Sequence, residues 1–228
     1  MERIYDCSLD TDLLTGMRLA KVAIGRKELV VMPTDTVYGL ACDAFSHEGV
    51  QSLLNAKGRS RQSPPPVLIG NANALEGLAQ EIPVLARKLA DTFWPGALTI
   101  ILKAQPSLTW DLGETKGTVA LRMPDHKIAL ALLQETGPLA VSSANLTGEP
   151  AAITCQQAQS YLGSKVKVYL DGGSSPKAEA STIVDLTELV DVIDDAGEIT
   201  TTGKARIVRR GALSVEKLKL VLGEHLEG

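Results

Sequence analysis

The sequence predicts an α/β fold. Apolar segments of strand length alternate along the chain with segments whose apolar residues recur at helical spacing, an order typical of sheets flanked by helices. With 228 residues, of which 44% are hydrophobic, the chain is long enough to bury one substantial core. We therefore expect a single domain over residues 1–228, without internal repeats or a long linker.

The first half of the chain contains strands and helices with clear stop signals. Apolar residues at helical spacing from Leu13 predict a helix that runs to Gly25, and Ser46 can cap a second helix that ends at Lys57. The other predicted elements are an edge strand at residues 3–7, a strand from residue 30 to Pro33, a strand at 67–69, helices at 75–79 and 83–93, and strands at 97–103 and 118–123.

The second half continues this alternation. Asp125 follows Pro124 and can cap a helix at residues 128–135. Residues 188–204 are acidic at first and then rich in threonine and glycine, and we interpret them as an insertion or a hairpin. The other predicted elements are strands at 139–141, 166–170, 181–185 and 205–210, a helix at 153–161, and a final amphipathic helix through Val215, Leu218 and Leu222.

Composition and charge disfavour several classes of protein. A formal net charge of −4 argues against a surface built to coat nucleic acid, although it leaves room for a local basic patch. The three cysteines lack the C-x-x-C spacing of zinc or redox sites. The N-terminus has no secretory pattern, and the apolar runs are too short to span a bilayer. We expect a cytosolic protein without a membrane segment or a structural metal.

Two strand ends rich in hydroxyl groups predict a ligand pocket. The run V-V-M-P-T-D-T-V-Y-G-L at residues 30–40 reaches Pro33, which cannot donate to a central ladder. Thr34, Asp35 and Thr36 should therefore lie at the carboxyl edge of the sheet, where α/β proteins bind ligands. A second such end, S-S-A-N-L-T-G, covers residues 142–148. An ordinary strand end with a helix cap is the alternative for the first stretch.

Cations concentrate at turns and strand ends. The stretch K-G-R-S-R-Q-S-P-P-P at residues 57–66 predicts a loop that is mobile at first and stiff at its prolines. A single arginine at a strand end is usually solvated or paired, but several together could converge on a phosphate. The chain has no Walker or Rossmann glycine motif, so a nucleotide would be held in another way. The cations are Lys57, Arg59, Arg61, Arg122, Arg206, Arg209 and Arg210.

Several motifs occur in an order typical of one family. They are P-T-D-T-V-Y-G-L, K-G-R, W-P-G-A-L-T, L-R-M-P, S-S-A-N-L-T-G, D-G-G, S-T-I-V-D and V-R-R-G. On these motifs the chain resembles the YrdC/TsaC family of L-threonylcarbamoyladenylate synthases over roughly residues 13–214. The resemblance implies a twisted mixed sheet with flanking helices around a basic concave cavity. It also implies the short, single-domain type of chain.

The resemblance implies a reaction as well. L-Threonine, bicarbonate and ATP are joined into threonylcarbamoyl-AMP and pyrophosphate, which would make the protein a nucleotidyltransferase. The product feeds N6-threonylcarbamoyladenosine modification of tRNA, so threonylcarbamoyl transferase proteins are the implied downstream partners. Mg²⁺ is expected on the ATP phosphates. A weak direct contact with RNA is also open.

Site residues carry over from the family by motif. Lys57 and Arg59 would be catalytic cations on a loop that closes over ATP, exposed enough for their loss to leave the fold intact. The residues implied for threonine are Thr34, Thr36, Arg122, Ser181 and Thr182. The residues implied for ATP are Lys57, Arg59, Ser142, Ser143, Asn145 and Arg209.

Two departures and two alternatives accompany this assignment. Leu68 stands where some family members place a histidine near the threonine, and residues 188–204 are longer than the family usually has. An RNA-binding protein that uses the basic cavity is one alternative, which the net charge and the aromatic content of 4% disfavour. The other is a related enzyme that handles carbamoyl-adenylate.

Overall fold

A ten-stranded mixed sheet organises the fold. The structure is a computed structural model that describes residues 3–227. The strands are β1 Arg3–Asp6, β2 Val30–Met32, β3 Gly39–Asp43, β4 Val67–Leu68, β5 Leu98–Lys103, β6 Thr118–Arg122, β7 Leu139–Ser143, β8 Val168–Asp171, β9 Thr182–Asp185, β10 Val190–Ile193, β11 Ile199–Thr202 and β12 Arg206–Arg209. The helices are α1 Asp10–Gly25, α2 His47–Lys57, α3 Ala74–Leu78, α4 Val84–Phe93, α5 Lys127–Thr136, α6 Cys155–Leu162 and α7 Val215–Leu222.

The sheet order is β1-β8-β2-β3-β7-β4-β6-β5-β9-β12, and β10 and β11 form a separate antiparallel pair. The sheet contains both parallel pairs, such as β1 with β8 and β5 with β9, and antiparallel pairs, such as β5 with β6. The predicted α/β class and the mixed sheet are therefore confirmed. Between residues 3 and 227, no helix combines the length and the apolar character that a membrane span requires.

The two faces of the sheet carry different structures. Successive strand residues point to opposite faces, so Val30 and Met32 pack in a cluster with α1 and α5, whereas Val31 packs in a larger core with α2, α4, α6 and α7. In β5 and β6 the same alternation sends Ile100 and Leu121 into the larger core. Their neighbours on the opposite face line a cavity.

Most predicted elements are confirmed. Ser46 caps α2, since the Gly49 N–H donates to Ser46 Oγ at 3.0 Å, and Gly58 ends that helix in the left-handed region at a φ of 64°. Strand β1 lies at the edge of the sheet. Residues 188–204 contain the β10–β11 hairpin, whose register runs from Val190 opposite Thr202 to Ile193 opposite Ile199.

Two local predictions fail. Asp125 does not cap α5, because His126 occupies the N-cap position, without a side-chain hydrogen bond. The Asp125 backbone N–H donates to Asp35 Oδ1 at 3.0 Å. Strand β3 is absent from the sequence prediction, since it begins with a glycine directly after a hydroxyl-rich turn. A Cβ on Gly39 would lie 2.7 Å from Val141 Cγ1, so close packing of β3 against β7 accounts for this glycine.

Helix α1 offers a matched test of this packing. A Cβ on Gly16 would lie 2.8 Å from Tyr5 Cβ and 2.9 Å from Leu170 Cδ2, whereas a Cβ on Gly25 meets nothing within 4 Å. We predict that Gly16→Ala lowers the free energy of unfolding by about 1–3 kcal/mol through overpacking. Gly25→Ala should leave it unchanged or raise it by up to about 1 kcal/mol through helix propensity. Urea denaturation measures both, and equal effects would contradict this account.

Candidate active site

A cavity of about 430 Å³ lies on the face of the sheet opposite the larger core. Residues of β5, β6 and β9 line its floor, and the segment after β2, the end of β7 and the prolines at 64–66 line its walls. The volume suits a small-molecule site. Among the described residues, no Asp, Glu, His or Cys lines the cavity, so its polar surface consists of hydroxyl and guanidinium groups and backbone.

Four of the five residues predicted for threonine line this cavity, namely Thr34, Thr36, Arg122 and Ser181. Thr182 does not line it and is fully buried. Its Oγ1 donates to the Leu213 carbonyl at 2.6 Å and accepts from the Leu213 N–H at 3.1 Å. Adjacent residues of an extended strand face opposite ways, so only Ser181 of the predicted pair faces the cavity. The threonine-binding roles of both residues remain predictions.

Of the residues predicted for ATP, four line the cavity, namely Arg59, Ser142, Ser143 and Arg209. Asn145 does not line the cavity. Its Nδ2 donates to the carbonyls of Leu146 at 2.9 Å and Glu149 at 2.7 Å. Lys57 does not line the cavity either. The binding roles of all six residues remain predictions. In the structure, Asn145 and Lys57 hold the turn after β7.

Lys57 is a buried anchor and not an exposed loop cation, so that part of the prediction is wrong. It is the last residue of α2 and is 1% exposed. Its ammonium donates to the Ser143 carbonyl, to the Asn145 carbonyl at 2.6 Å and to Asn145 Oδ1 at 3.3 Å. Burial, with a smaller contribution from Arg59, lowers the pKa of Lys57 to about 8. The three oxygen acceptors favour the charged form at neutral pH.

Arg122, which lines the cavity, forms a buried ion pair with Asp35. The guanidinium also donates from Nε to the Gly96 carbonyl at 2.8 Å and from Nη1 to Thr36 Oγ1 at 2.9 Å. Thr36 Oγ1 lies 3.0 Å from Thr34 Oγ1. The sequence predicts that Asp35 lies at a ligand-binding strand end or caps a helix, and in the structure it is the counter-ion of Arg122.

Asp35 is ionised despite its burial. Burial alone would raise the pKa of this carboxyl, but Arg122, Lys177 and the Asp125 N–H outweigh it and lower the pKa. Lys177 Nζ lies 3.0 Å from Asp35 Oδ2. The carboxylate is thus held by two cations and one backbone donor.

Arg59 and Arg209 supply uncompensated positive charge to the cavity. Among the described residues, neither has a carboxylate within ion-pair distance. Arg59 Nη1 donates to Ser142 Oγ at 3.2 Å, and Arg209 Nη2 donates to the Ser181 carbonyl at 2.7 Å and to its Oγ at 3.0 Å. Partial burial, with repulsion from Arg122 and Arg59, lowers the pKa of Arg209. These groups favour an anionic ligand.

The other predicted cations do not converge here. Arg61 pairs with Asp111 and Arg206 with Asp185, and Arg210 lines a separate groove beside α7.

The loop after α2 is tied to the loop between β5 and β6. The Glu114 N–H donates to the Arg61 carbonyl at 2.8 Å, and Arg61 and His47 both contact Asp111. Prolines 64–66 continue this loop into the cavity wall. These contacts fasten the segment that the sequence predicts to be mobile.

The sequence analysis missed cavity residues in β5 and β6. Thr99, Thr118 and Ala120 line the cavity beside Arg122, and Thr99 Oγ1 lies 2.8 Å from Ser181 Oγ. The alternation of Thr118, Ala120 and Arg122 with two apolar residues is the signal that could have found them, since it marks one face of a strand. Leu68 lines the cavity too, as an apolar surface.

The expected Mg²⁺ on the ATP phosphates stays a prediction. Among the described residues there is no group of three or more His, Cys, Asp or Glu side chains that could hold a metal. Mg²⁺ commonly binds through substrate phosphates and keeps several waters, and the hydroxyls of Ser142 and Ser143 would suit those waters.

Comparison with known proteins decides the family. The family model Sua5_yciO_yrdC, described as "Telomere recombination", matches residues 22–195. The chain belongs to the Sua5/YciO/YrdC family. The resemblance inferred from the ordered motifs is thereby confirmed.

Relatives within the Sua5/YciO/YrdC family share most of this chain. A Mycobacterium leprae protein, provisionally named threonylcarbamoyl-AMP synthase, is 47% identical over 223 residues, covering 98% of this chain and 95% of its own. The Pyrococcus abyssi threonylcarbamoyl-AMP synthase is 35% identical over 91% of this chain and 57% of its own. The crystal structure of P. abyssi Sua5 complexed with L-threonine superposes with a TM-score of 0.84 at 30% identity, covering all of this chain. This chain spans about three-fifths of that protein, 62% of its length.

The buried position of Lys57 gives a test within this Sua5/YciO/YrdC chain. We predict that Lys57→Met lowers the free energy of unfolding by about 2–4 kcal/mol, because the carbonyls of Ser143 and Asn145 lose their donor. Arg59→Ala, two residues away and half-buried, should cost less than about 1 kcal/mol. Urea denaturation of both variants measures this contrast. A loss below 1 kcal/mol for Lys57→Met would restore the exposed-loop interpretation.

Proposed function

We propose that this chain is an L-threonylcarbamoyladenylate synthase, a nucleotidyltransferase that forms threonylcarbamoyl-AMP and pyrophosphate from L-threonine, bicarbonate and ATP. The observation that carries the proposal is one cavity in which Arg122, backed by Asp35, lies among hydroxyl groups, while Arg59 and Arg209 have no carboxylate partner among the described residues. The first environment suits an amino acid and the second suits phosphates. Relatives named threonylcarbamoyl-AMP synthase support the same assignment.

At the amino-acid end, a count of hydrogen-bond donors supports a carboxylate ligand. A guanidinium has five N–H groups, and Arg122 directs three of them to Gly96, Thr36 and Asp35. Two remain for the threonine carboxylate. The hydroxyls of Thr34 and Ser181 also line the cavity, where their oxygens can accept hydrogen bonds from the polar groups of the ligand.

At the nucleotide end, Arg59 and Arg209 would bind the phosphates. Their side chains rest on Ser142 and Ser181, so the hydroxyls fix the direction of each guanidinium before the ligand arrives. Preorganised cations of this kind stabilise charge that builds up on a departing pyrophosphate. Mg²⁺ bound to ATP would neutralise part of the same charge.

The reaction needs positioning more than a protein nucleophile. The threonine amine adds to the carbon of bicarbonate with loss of water, and a carbamate oxygen then attacks the α-phosphorus as the bond to pyrophosphate breaks. The cavity contributes no carboxylate, imidazole or thiol among the described residues, which agrees with catalysis by orientation and electrostatics. Apolar residues such as Leu112 and Ile183 line the rest of the cavity and would limit access of water.

The cellular context follows from this chemistry. We propose that the product passes to threonylcarbamoyl transferase proteins that modify adenosine in tRNA, and that the enzyme works in the cytosol. A direct RNA contact gains no specific support, since Arg61 and Arg206 are paired with carboxylates.

The proposed reaction predicts a strict substrate requirement. Pyrophosphate release from ATP should need both L-threonine and bicarbonate, because only the carbamate supplies the attacking oxygen. The measurement is a coupled pyrophosphate assay with each substrate omitted in turn. Equal release without threonine would refute the proposed function.

Strand β12 supplies a matched pair for the phosphate end. Arg209→Gln should lower kcat by about a hundredfold or more, the scale for loss of one preorganised donor. Arg206→Gln on the same strand, exposed and paired with Asp185, should stay within about twofold of wild type. Comparable losses in both variants would show that the cavity position of Arg209 is irrelevant.

A further inference from the structure

The segment between β8 and β9 forms part of the cavity rim. Tyr38 OH donates to the Gly173 carbonyl at 2.6 Å, and the Ser175 N–H donates to the Ile153 carbonyl at 2.8 Å. At the other end, Ala180 and Ser181 line the cavity. The segment is thus fixed at several points along its length, and it carries Lys177 between them.

Lys177 reaches from this segment to the buried carboxylate of Asp35. Its Nζ lies 3.0 Å from Asp35 Oδ2, while Oδ1 faces Arg122. The Lys177 side chain is 41% exposed and the Asp35 side chain only 4%. Lys177 itself does not line the cavity, so it acts on the site through Asp35.

The charges of these three groups decide how the site receives an anion. Arg122 and Asp35 alone form a neutral pair, and the carboxylate of Asp35 would repel a second carboxylate brought up to Arg122. Lys177 raises the sum to one positive charge. Lys177 also offsets part of the negative potential of the Asp35 carboxylate. The electrostatic potential around the free N–H groups of Arg122 is therefore less negative.

We propose that Lys177 is a positioning residue that sets the affinity for the carboxylate of the amino-acid substrate by balancing the charge of Asp35. The inference rests on the proposed function, since it takes L-threonine as the ligand of Arg122. Its distinct content is that the residue acts on threonine binding without touching threonine, ATP or the reacting atoms.

The test uses Lys177→Met in steady-state pyrophosphate release. The KM for L-threonine should rise about tenfold, whereas kcat and the KM for ATP should stay within about twofold, because only the amino-acid end loses charge. Calorimetry with L-threonine alone should show the same loss in affinity. Lys177→Arg should restore wild-type values, since it keeps the charge.

Lys103→Met is the matched control. Lys103 is also 41% exposed and pairs with Glu81 at 2.6 Å, but it does not line the cavity or contact Asp35. It should match wild type in all parameters. Should Lys177→Met fail to fold, Lys177→Gln tests the same loss of charge with a polar side chain.

The outcomes separate this inference from the proposed function. If pyrophosphate release by the wild type depends on threonine but the KM for L-threonine is unchanged in Lys177→Met, only the role of Lys177 is overturned. A lower kcat, higher KM values for both L-threonine and ATP and a lower melting temperature would make Lys177 a structural residue. That result would also overturn the inference. If pyrophosphate release by the wild type does not depend on threonine, the proposed function is overturned, and the inference with it.

Discussion

The ion pair between Asp35 and Arg122 constrains the fold and the site together. It joins the segment after β2 to the end of β6, although β3, β7 and β4 separate these strands in the sheet. Removing two charges from water costs several kcal/mol per ion, and the attraction between them offsets this only when the remaining donors and acceptors are satisfied. Gly96, Thr36 and the Asp125 N–H satisfy them here. The strand ends and the start of α5 therefore depend on one polar network.

A second set of polar residues supports the cavity from behind. Lys57, Asn145 and Thr182 belong to motifs that suggest ligand contacts, yet each hydrogen-bonds to backbone carbonyls of the adjoining turns or strands. Such contacts hold the cavity walls at the positions where Ser143 and Ser181 face the cavity. A motif residue can thus contribute through the shape of the site.

Sequence reasoning captured what depends on local chemistry. The cap at Ser46, the strand end at Pro33 and the hairpin at 188–204 each follow from the residues in and around them. The direction in which the Thr182 side chain points depends on strand register. The burial of Lys57 depends on a turn about 90 residues away in the chain, and no local pattern encodes either feature. The partners of Asp35 could not be predicted either. The local sequence around an acidic turn residue is the same whether the residue caps a helix or neutralises a distant arginine.

The sheet order has a consequence for synthesis of the chain on the ribosome. Among the described residues, strand β1 pairs with β8 alone, so the ladder of residues 3–6 cannot form before residues 168–171 are translated. At the opposite edge, Ser181 precedes β9 and Arg209 ends β12, and both strands join the sheet last. A nascent chain that has emerged through β7 holds Thr34, Arg59, Arg122 and Ser142 but still lacks Ser181, Arg209 and the lysine that faces Asp35. Arg59 and Arg122 are therefore translated before the cavity is complete. The positive charges of Lys177 and Arg209 are added only after β8 has been translated.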